Sequence, residues 1–450
     1  MVAFARWPEL FALAAIAALP VRVPLEIGGE TANLLVPLYV VIAAGTITTY
    51  KTERSARWGS GSAEVRLVSG PRTATGALRW LLAATLVLYA IQATYSRDVS
   101  NAIENVGFFL VPFAALFVLL AEVEWTARLL RRALAVVAAV AVLCALVGLF
   151  QSATRELFLN PELFDANQLH AYFRVNSIFF DPNIFGRYLA LAITILGACT
   201  AWGGTRRELG LLVFASGICL AGLAFSYSIT SVAAVVGGLG VVALLRWSWR
   251  GALAAGALGL AALAALLIAG GTPSSDIQSD RYFDQGRSSL LEGGVELFED
   301  RPIAGHGSGG FGRAFYEDIE RARTTISHSE PITVAAEQGV IGLAVYAALL
   351  VAALIVALGG RAGSSLARTA VAGCFVAMLV HSLGYAGFAI DPATWALLAL
   401  AVGLYTNVPP ASRNANVPPA SRSANVPPAS SASPPGAAGS GEGAGGEVAA

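Results

Sequence analysis

Charge is what this chain has least of. Asp, Glu, Lys and Arg together make up 13% of its 450 residues, while hydrophobic residues make up 56%. A soluble domain carries about 25% charge, so an ordinary soluble protein is excluded, and a mean hydropathy of +0.65 points to a polytopic membrane protein. The formal net charge is zero, which leaves no overall basic footprint for nucleic acid. Cysteine is scarce too. Cys144, Cys199, Cys219 and Cys374 all lie inside apolar runs without paired spacing, the pattern of small buried hydrophobes rather than of disulfides or a zinc site. No His/Cys/Asp cluster has ligand spacing, so no metal is expected. The glycine-rich run Gly305–Gly310 has no Lys-Ser/Thr and no strand pattern before it, so it is not a nucleotide loop. No segment is long enough and patterned for a Rossmann-like domain, and no cofactor is expected.

What is abundant is long apolar runs. A span needs about 20 mostly apolar residues, and twelve candidates lie near 8–25, 32–49, 78–94, 104–121, 132–152, 183–202, 209–226, 230–246, 251–269, 331–358, 369–388 and 392–407. The expected fold is therefore an all-α polytopic bundle over residues 1–406. The stretch from Leu10 to Leu19 has the look of a signal peptide, but a second apolar run follows at once, so it reads as the first span. The gap at 226–230 is either a hairpin turn or a break in a re-entrant segment. Basic residues set the expected orientation. Lys51, Arg54, Arg57, Arg66, Arg72, Arg128, Arg131, Arg132, Arg206, Arg207, Arg246, Arg250, Arg361 and Arg368 all fall in even-numbered connections. Both termini are then expected in the cytoplasm, with long loops outside at about 153–182 and 270–330. From Gly270 to Glu330 there are eleven Asp/Glu against six Arg. Within that loop, Leu290, Leu291, Val295, Leu297 and Phe298 have the spacing of a short amphipathic helix, on the membrane surface or capping the bundle. From Asn407 the motif Asn-Val-Pro-Pro-Ala-Ser recurs at 407, 416 and 425, and residues 407–450 read as a disordered tail.

Ionisable groups beside spans are costly and read first as functional candidates. His328, at the lip of the span that begins near 331, could accept a proton from a hydroxyl, or could be a plain loop histidine. His306 reads as part of a flexible turn, and His170 and His381 as incidental. Arg174 and Arg187 flank Asp181, and a planar, permanently charged fork suits phosphate. A structural Arg187–Asp181 ion pair is the competing reading. Arg281 and Arg287 precede the amphipathic stretch.

Three segments resemble the O-antigen ligase and O-antigen polymerase superfamily of envelope polysaccharide enzymes. The first is Arg174-Val175-Asn176-Ser177-Ile178-Phe179-Phe180-Asp181-Pro182-Asn183 with Gly186-Arg187-Tyr188-Leu189. The second runs from Arg287 to Phe298, then through Asp300-Arg301-Pro302-Ile303-Ala304-Gly305-His306-Gly307 to Gly310-Phe311. The third is Ser327-His328-Ser329-Glu330-Pro331 followed by Glu337-Gln338-Gly339 and Gly342-Leu343. The resemblance covers roughly residues 80–405. It implies a membrane glycosyltransferase fold of the GT-C kind that moves a glycan from an undecaprenyl-diphosphate carrier to an acceptor hydroxyl on the outer face of the cytoplasmic membrane. It further implies partners limited to a polyprenyl-diphosphate-linked glycan donor, a glycan, lipid or protein acceptor, and membrane lipids, with no nucleic acid and no metal. Carried over by position, His328 would be catalytic, Glu337 would be catalytic or would only position the loop, and Arg287, with Arg174, Arg187 and Asp181, would bind substrate. The chain departs from the pattern at two positions. Ile229 stands where many ligases have an arginine, and Ser329 where an asparagine usually follows the histidine. A repeat-unit polymerase, a non-enzymatic transporter of lipid-linked glycan and an inactive assembly relative are the alternatives.

Overall fold

In hydrocarbon no backbone polar group can be left to water, so long apolar runs must fold as helices. They do so in the computed structural model of the chain, which describes residues 4, 7–27, 30–59, 73–160, 172–247, 277–319, 326–359 and 362–406, with a few positions in 163–167 and 249–257. The order is α1 (Pro8–Ala18), a hairpin of β1 (Val23–Ile27) and β2 (Glu30–Leu34), α2 (Val36–Gly59), α3 (Ala74–Ala93), α4 (Val99–Ala121), α5 (Ala127–Thr154), α6 (Pro182–Trp202), α7 (Arg206–Ser226), α8 (Ile229–Arg246), α9 (Ile277–Asp300), α10 (Phe311–Ala314), α11 (Glu330–Leu358), α12 (Leu366–Ser382) and α13 (Pro392–Thr406). Among the described residues, seven helices are long and apolar enough to cross a membrane, and four shorter apolar helices accompany them. The expected ninth run, at 251–269, lies outside the described residues except for a few positions, and the tail at 407–450 lies outside them altogether.

Some expected boundaries shift. The run at 8–25 is not one helix. Helix α1 stops at Ala18, because Pro20 offers no N–H to continue the hydrogen-bond ladder. Val23 to Ile27 then pair antiparallel with Glu30 to Leu34, Val23 opposite Leu34. The gap at 226–230 is a hairpin turn, in which Tyr227 takes a left-handed conformation (φ 51°) and the Ser228 side chain caps α8. The amphipathic stretch is the second half of α9. Its Leu290 and Leu297 pack on Phe311, Phe315 and Ala336, so this stretch caps the bundle.

Small residues let the central helices close. Gly238 on α8 faces Thr194 on α6 and Gly373 on α12, and a Cβ on Gly238 would lie 2.6 Å from Thr194 Oγ1. Close backbone approach of this kind drives helix association where hydrophobicity cannot. The connections gather at two ends. At one end, Arg97 N–H donates to the His306 carbonyl, Asn101 to that of Gly309, and Val175 N–H to that of Phe225. At the other, Arg246 reaches the Ala201 carbonyl and Arg368 that of Gly359. The candidate residues lie at the first end.

That end is organised by a break in α11. Gly339 has φ 64° and ψ −164°, which no residue with a Cβ adopts easily, and a Cβ there would overlap the Ile303 carbonyl. The break exposes the carbonyls of Ala336, Glu337 and Gln338. The 302–307 loop and Gln92 take them up. His306 N–H donates to Ala336 O at 3.0 Å, Gly307 N–H to Glu337 O at 2.8 Å, and Gln92 Nε2 to Gln338 O at 3.2 Å. Val340 N–H, just past the break, donates to Pro302 O at 2.7 Å. Gly305 (φ 69°) lies against the backbone of Glu337 and Gln338, where a Cβ would overlap it. Two of the sequence motifs are thus one interlocked backbone assembly. Gly339→Ala should destabilise the protein by about 3 kcal/mol, through backbone strain added to steric overlap. Gly217→Ala, where a Cβ meets nothing within 4 Å, should leave the thermal unfolding midpoint in detergent unchanged. Equal midpoints for the two variants would refute the interlock.

Candidate active site

The chain is strained two residues before α11. His328 has φ 63°, a left-handed conformation that costs a non-glycine residue about 1–2 kcal/mol. The surrounding hydroxyls hold it there. Ser327 Oγ donates to Ser329 O at 2.8 Å and lies 2.9 Å from Thr333 Oγ1, while Thr333 N–H closes on Ser329 O at 2.9 Å. The half-buried His328 ring lies 5.8 Å from the ring of Tyr385. Strain held in place by neighbours clusters at functional sites.

Glu337 lies two turns further on. Its carboxylate oxygens accept the N–H groups of Gly309 at 2.8 Å and of Phe311 at 3.1 Å. Both oxygens are occupied by backbone donors, and the residue thereby fixes the glycine-rich loop to α11. His306 is no flexible turn either. It is buried, with Nε2 3.0 Å from Leu297 O, and pins α9 to the break.

Tyr385 is the hub of the site. The Asp181 carboxylate lies close to its phenol, and the His381 ring lies 5.8 Å away, edge-on. The Arg187 guanidinium stands 5.8 Å from the tyrosine ring centroid. Burial, and then the Asp181 carboxylate, push this phenol well above its usual range, so it is a neutral donor near pH 7. The segment carrying it is tethered by Glu330, whose Oε2 accepts N–H groups from Gly387 and Phe388. Behind Tyr385 a polar chain runs into the bundle. His381 Nε2 lies 3.1 Å from Ser231 Oγ, which lies 2.8 Å from Ser228 Oγ, and Ser228 donates to Asn183 Oδ1 at 2.9 Å.

Arg187 does not pair with Asp181, the competing reading from sequence. Its Nη2 lies 2.7 Å from Asp391 Oδ2, with both side chains buried. Asp181 accepts the Asn183 N–H at 2.6 Å and so caps α6, which leaves Asp391 as the near carboxylate. Arg174 is engaged with the scaffold, its Nε donating to Ser226 O at 3.1 Å and its Nη2 reaching Asn183 Oδ1 at 3.5 Å. The 174–183 motif is a loop stapled to α5, with Ser177 N–H on Gln151 Oε1 at 2.7 Å. Arg287 lies on α9, with its side chain outside the described residues; His170 is outside them altogether. Ile229 is exposed at the start of α8.

Reasoning from sequence missed Arg22, Tyr385 and Asp391 and set His381 aside. The available signal was their ionisable character at span ends. Arg22 lines one small cavity with Arg187 and Asp391, three residues far apart in the chain. No group of three or more His, Cys, Asp or Glu side chains that could hold a metal occurs among the described residues.

A helical bundle with seven apolar helices of spanning length among its described residues, and its polar chemistry gathered at one end, is a multi-pass membrane protein. Residues 214–347 match the family model described as O-Antigen ligase. That match supports the O-antigen ligase and polymerase superfamily, and with it a role in polysaccharide biosynthesis. The matched stretch includes Arg287, His328 and Glu337, while Arg22, Arg174, Asp181, Arg187, Tyr385 and Asp391 lie outside it. No curated protein matches the chain.

Two outcomes test this geometry. In Glu337→Gln the side-chain amide turns N–H groups toward one of two backbone donors, which should cost about 1–3 kcal/mol and lower the unfolding midpoint; no change would contradict the clamp. Burial holds His306 below the usual histidine range. As pH falls below about 6.5 the unfolded chain takes up that proton before the folded one, so stability falls with pH. His306→Gln should flatten that part of the stability–pH curve, and an unaltered slope would show that other groups set it.

Proposed function

We propose that the chain transfers, or polymerises, a glycan carried on undecaprenyl diphosphate onto an acceptor hydroxyl. The reaction would run without metal, in a GT-C type bundle in the cytoplasmic membrane, with the site end facing outward and both termini in the cytoplasm. One observation carries the reading. Within a stretch matched to the O-Antigen ligase family, a histidine held in a strained conformation faces Tyr385, around which Arg187, Asp181 and His381 also gather. The run of basic residues at the opposite end supports the orientation.

In this reading the acceptor oxygen attacks the anomeric carbon as its proton passes to His328. The bond from that carbon to the diphosphate oxygen breaks, and the electron pair leaves with the lipid diphosphate. Arg187, Arg174 and Arg287 offset the charge that develops there, as preorganised donors do in a site shielded from water. The Asp181 carboxylate stands beside Tyr385, and Glu337 positions the loop beside the histidine. In-line attack inverts the anomeric configuration, and a product that keeps the donor's configuration would rule this course out. Ligation and polymerisation differ only in the acceptor.

The test is polymer profiling in a deletion strain complemented with wild type, His328→Ala or Arg187→Ala. Removing a general base costs about 100-fold or more in rate, and removing a preorganised donor to the developing charge costs about as much, so each variant should lose surface polymer and accumulate lipid-linked intermediate. Normal polymer from both variants at normal protein level would sink the assignment.

A further inference from the structure

At the end of the bundle away from the candidate active site, one face of α8 is grooved. Gly237, Gly240, Val241 and Leu244 stand three or four residues apart and so line one side of the helix. With Trp249 and Leu253 they border a groove of about 430 Å³, the size of a small-ligand site. Leu244, Trp249 and Leu253 are exposed. The glycine at its floor has no packing partner. A Cβ on Gly238 would strike Thr194, and one on Gly237 would lie 3.0 Å from Val380 Cγ2, whereas on Gly240 it would meet nothing within 4 Å. Glycine weakens a helix interior, and at Gly240 the missing side chain gives the groove its depth. The rim is basic. The Arg250 guanidinium stands 5.3 Å from the ring centroid of Trp249, which itself lines the groove. One turn earlier, Arg246 reaches back to the end of α6, 5.1 Å from the Trp202 ring centroid. Both arginines are exposed. The chain from Leu209 to Ser275 contains neither Asp nor Glu, and α6 and α12, which pack on α8, have none either.

We propose that this groove binds one anionic phospholipid. An acyl chain lies along the glycine face of α8, and the headgroup phosphate meets Arg250 and Arg246. From Leu244 to Gly237 the groove runs about 10 Å along the helix, away from the charged rim and into the hydrocarbon. Trp247 and Trp249, both exposed, suit the headgroup level, where amphipathic rings gather. Charge decides the occupant. A neutral helix seated there would cover the apolar wall and leave the guanidiniums without an anion, whereas an anionic phospholipid meets both. Basic residues around a helix end attract anionic lipid in general; an apolar groove beneath two of them selects one position. The proposal needs only that the chain spans a membrane, and it does not rest on the transferase reading.

The experiment uses the full chain, purified in detergent and freed of lipid. The probes are phosphatidylglycerol and phosphatidylcholine with the same acyl chains, and bound lipid is counted on the intact protein by native mass spectrometry. Wild type should bind phosphatidylglycerol about fivefold or more tightly than phosphatidylcholine. Arg250→Gln should weaken phosphatidylglycerol binding about fivefold, the scale of one basic residue at an anionic headgroup, and leave phosphatidylcholine unchanged. Arg207→Gln, an exposed charge at the start of α7, should bind like wild type. Gly240→Leu keeps both arginines and fills the groove, so it should also lose phosphatidylglycerol. Phosphatidylglycerol should raise the unfolding midpoint of wild type and not that of Arg250→Gln. The proposal is overturned if wild type binds both lipids equally. Equal losses in Arg250→Gln and Arg207→Gln would overturn it too, since they would mean attraction to the whole basic end. So would wild-type binding by Gly240→Leu, which would put the acyl chain elsewhere. Failure of Gly240→Leu to fold would assign the groove to protein packing, with the same consequence.

Discussion

The arrangement of this site depends on one set of backbone hydrogen bonds, those that close the break in α11 at Gly339. A helix interrupted near a membrane surface leaves carbonyls and amides that water or protein must satisfy. Here the 302–307 loop and Gln92 satisfy them, with His306, Gly307 and Val340 in the ladder. Glu337 adds two side-chain acceptors from the same turn. The loop is thereby fastened to the helix whose first residues follow His328. The contact leaves no room for a Cβ at either Gly305 or Gly339.

Around this frame the chain repeats one device at three helix starts. Asp181-Pro182, Glu330-Pro331 and Asp391-Pro392 each place a carboxylate at the mouth of a helix that proline opens, where proline's missing N–H is no loss. Each carboxylate then ties two parts of the site together. Asp181 caps α6 and meets Tyr385, Glu330 begins α11 and holds the 387–388 backbone, and Asp391 caps α13 and pairs with Arg187. The segment 383–391 is thus gripped from three helices. Tyr385, at its centre, faces both histidine rings and Arg187. Residues inside and outside the 214–347 family match meet there.

Much of this was legible in the sequence, for physical reasons. Apolar runs of spanning length can only be helices in hydrocarbon, and eleven of the expected runs correspond to helices. The order of the glycine-rich and Glu-x-Gly motifs was readable, and so was the position of His328 before a span. The mutual fit of those motifs was not, because a backbone break and its partner loop leave no periodic trace. Arg187 lies six residues from Asp181, so a local pair was the competing reading, yet Asp181 turns to cap its own helix and Asp391, far along the chain, takes the arginine. His306 read as a flexible turn and His381 as incidental because spacing carries no record of burial. Pro20 ends the first helix sooner than hydropathy suggested, since proline acts through geometry that hydropathy does not register.

The most direct measurement is hydrogen exchange of the wild-type chain in detergent micelles, resolved across the loop and the start of α11. If the break and the loop are one unit, the amides of His306, Gly307, Gly309, Phe311 and Val340 should be protected to the same degree and open together. Rapid exchange of the loop amides while the neighbouring turns of α11 stay protected would contradict the interlock, and with it the fixed placement of His328.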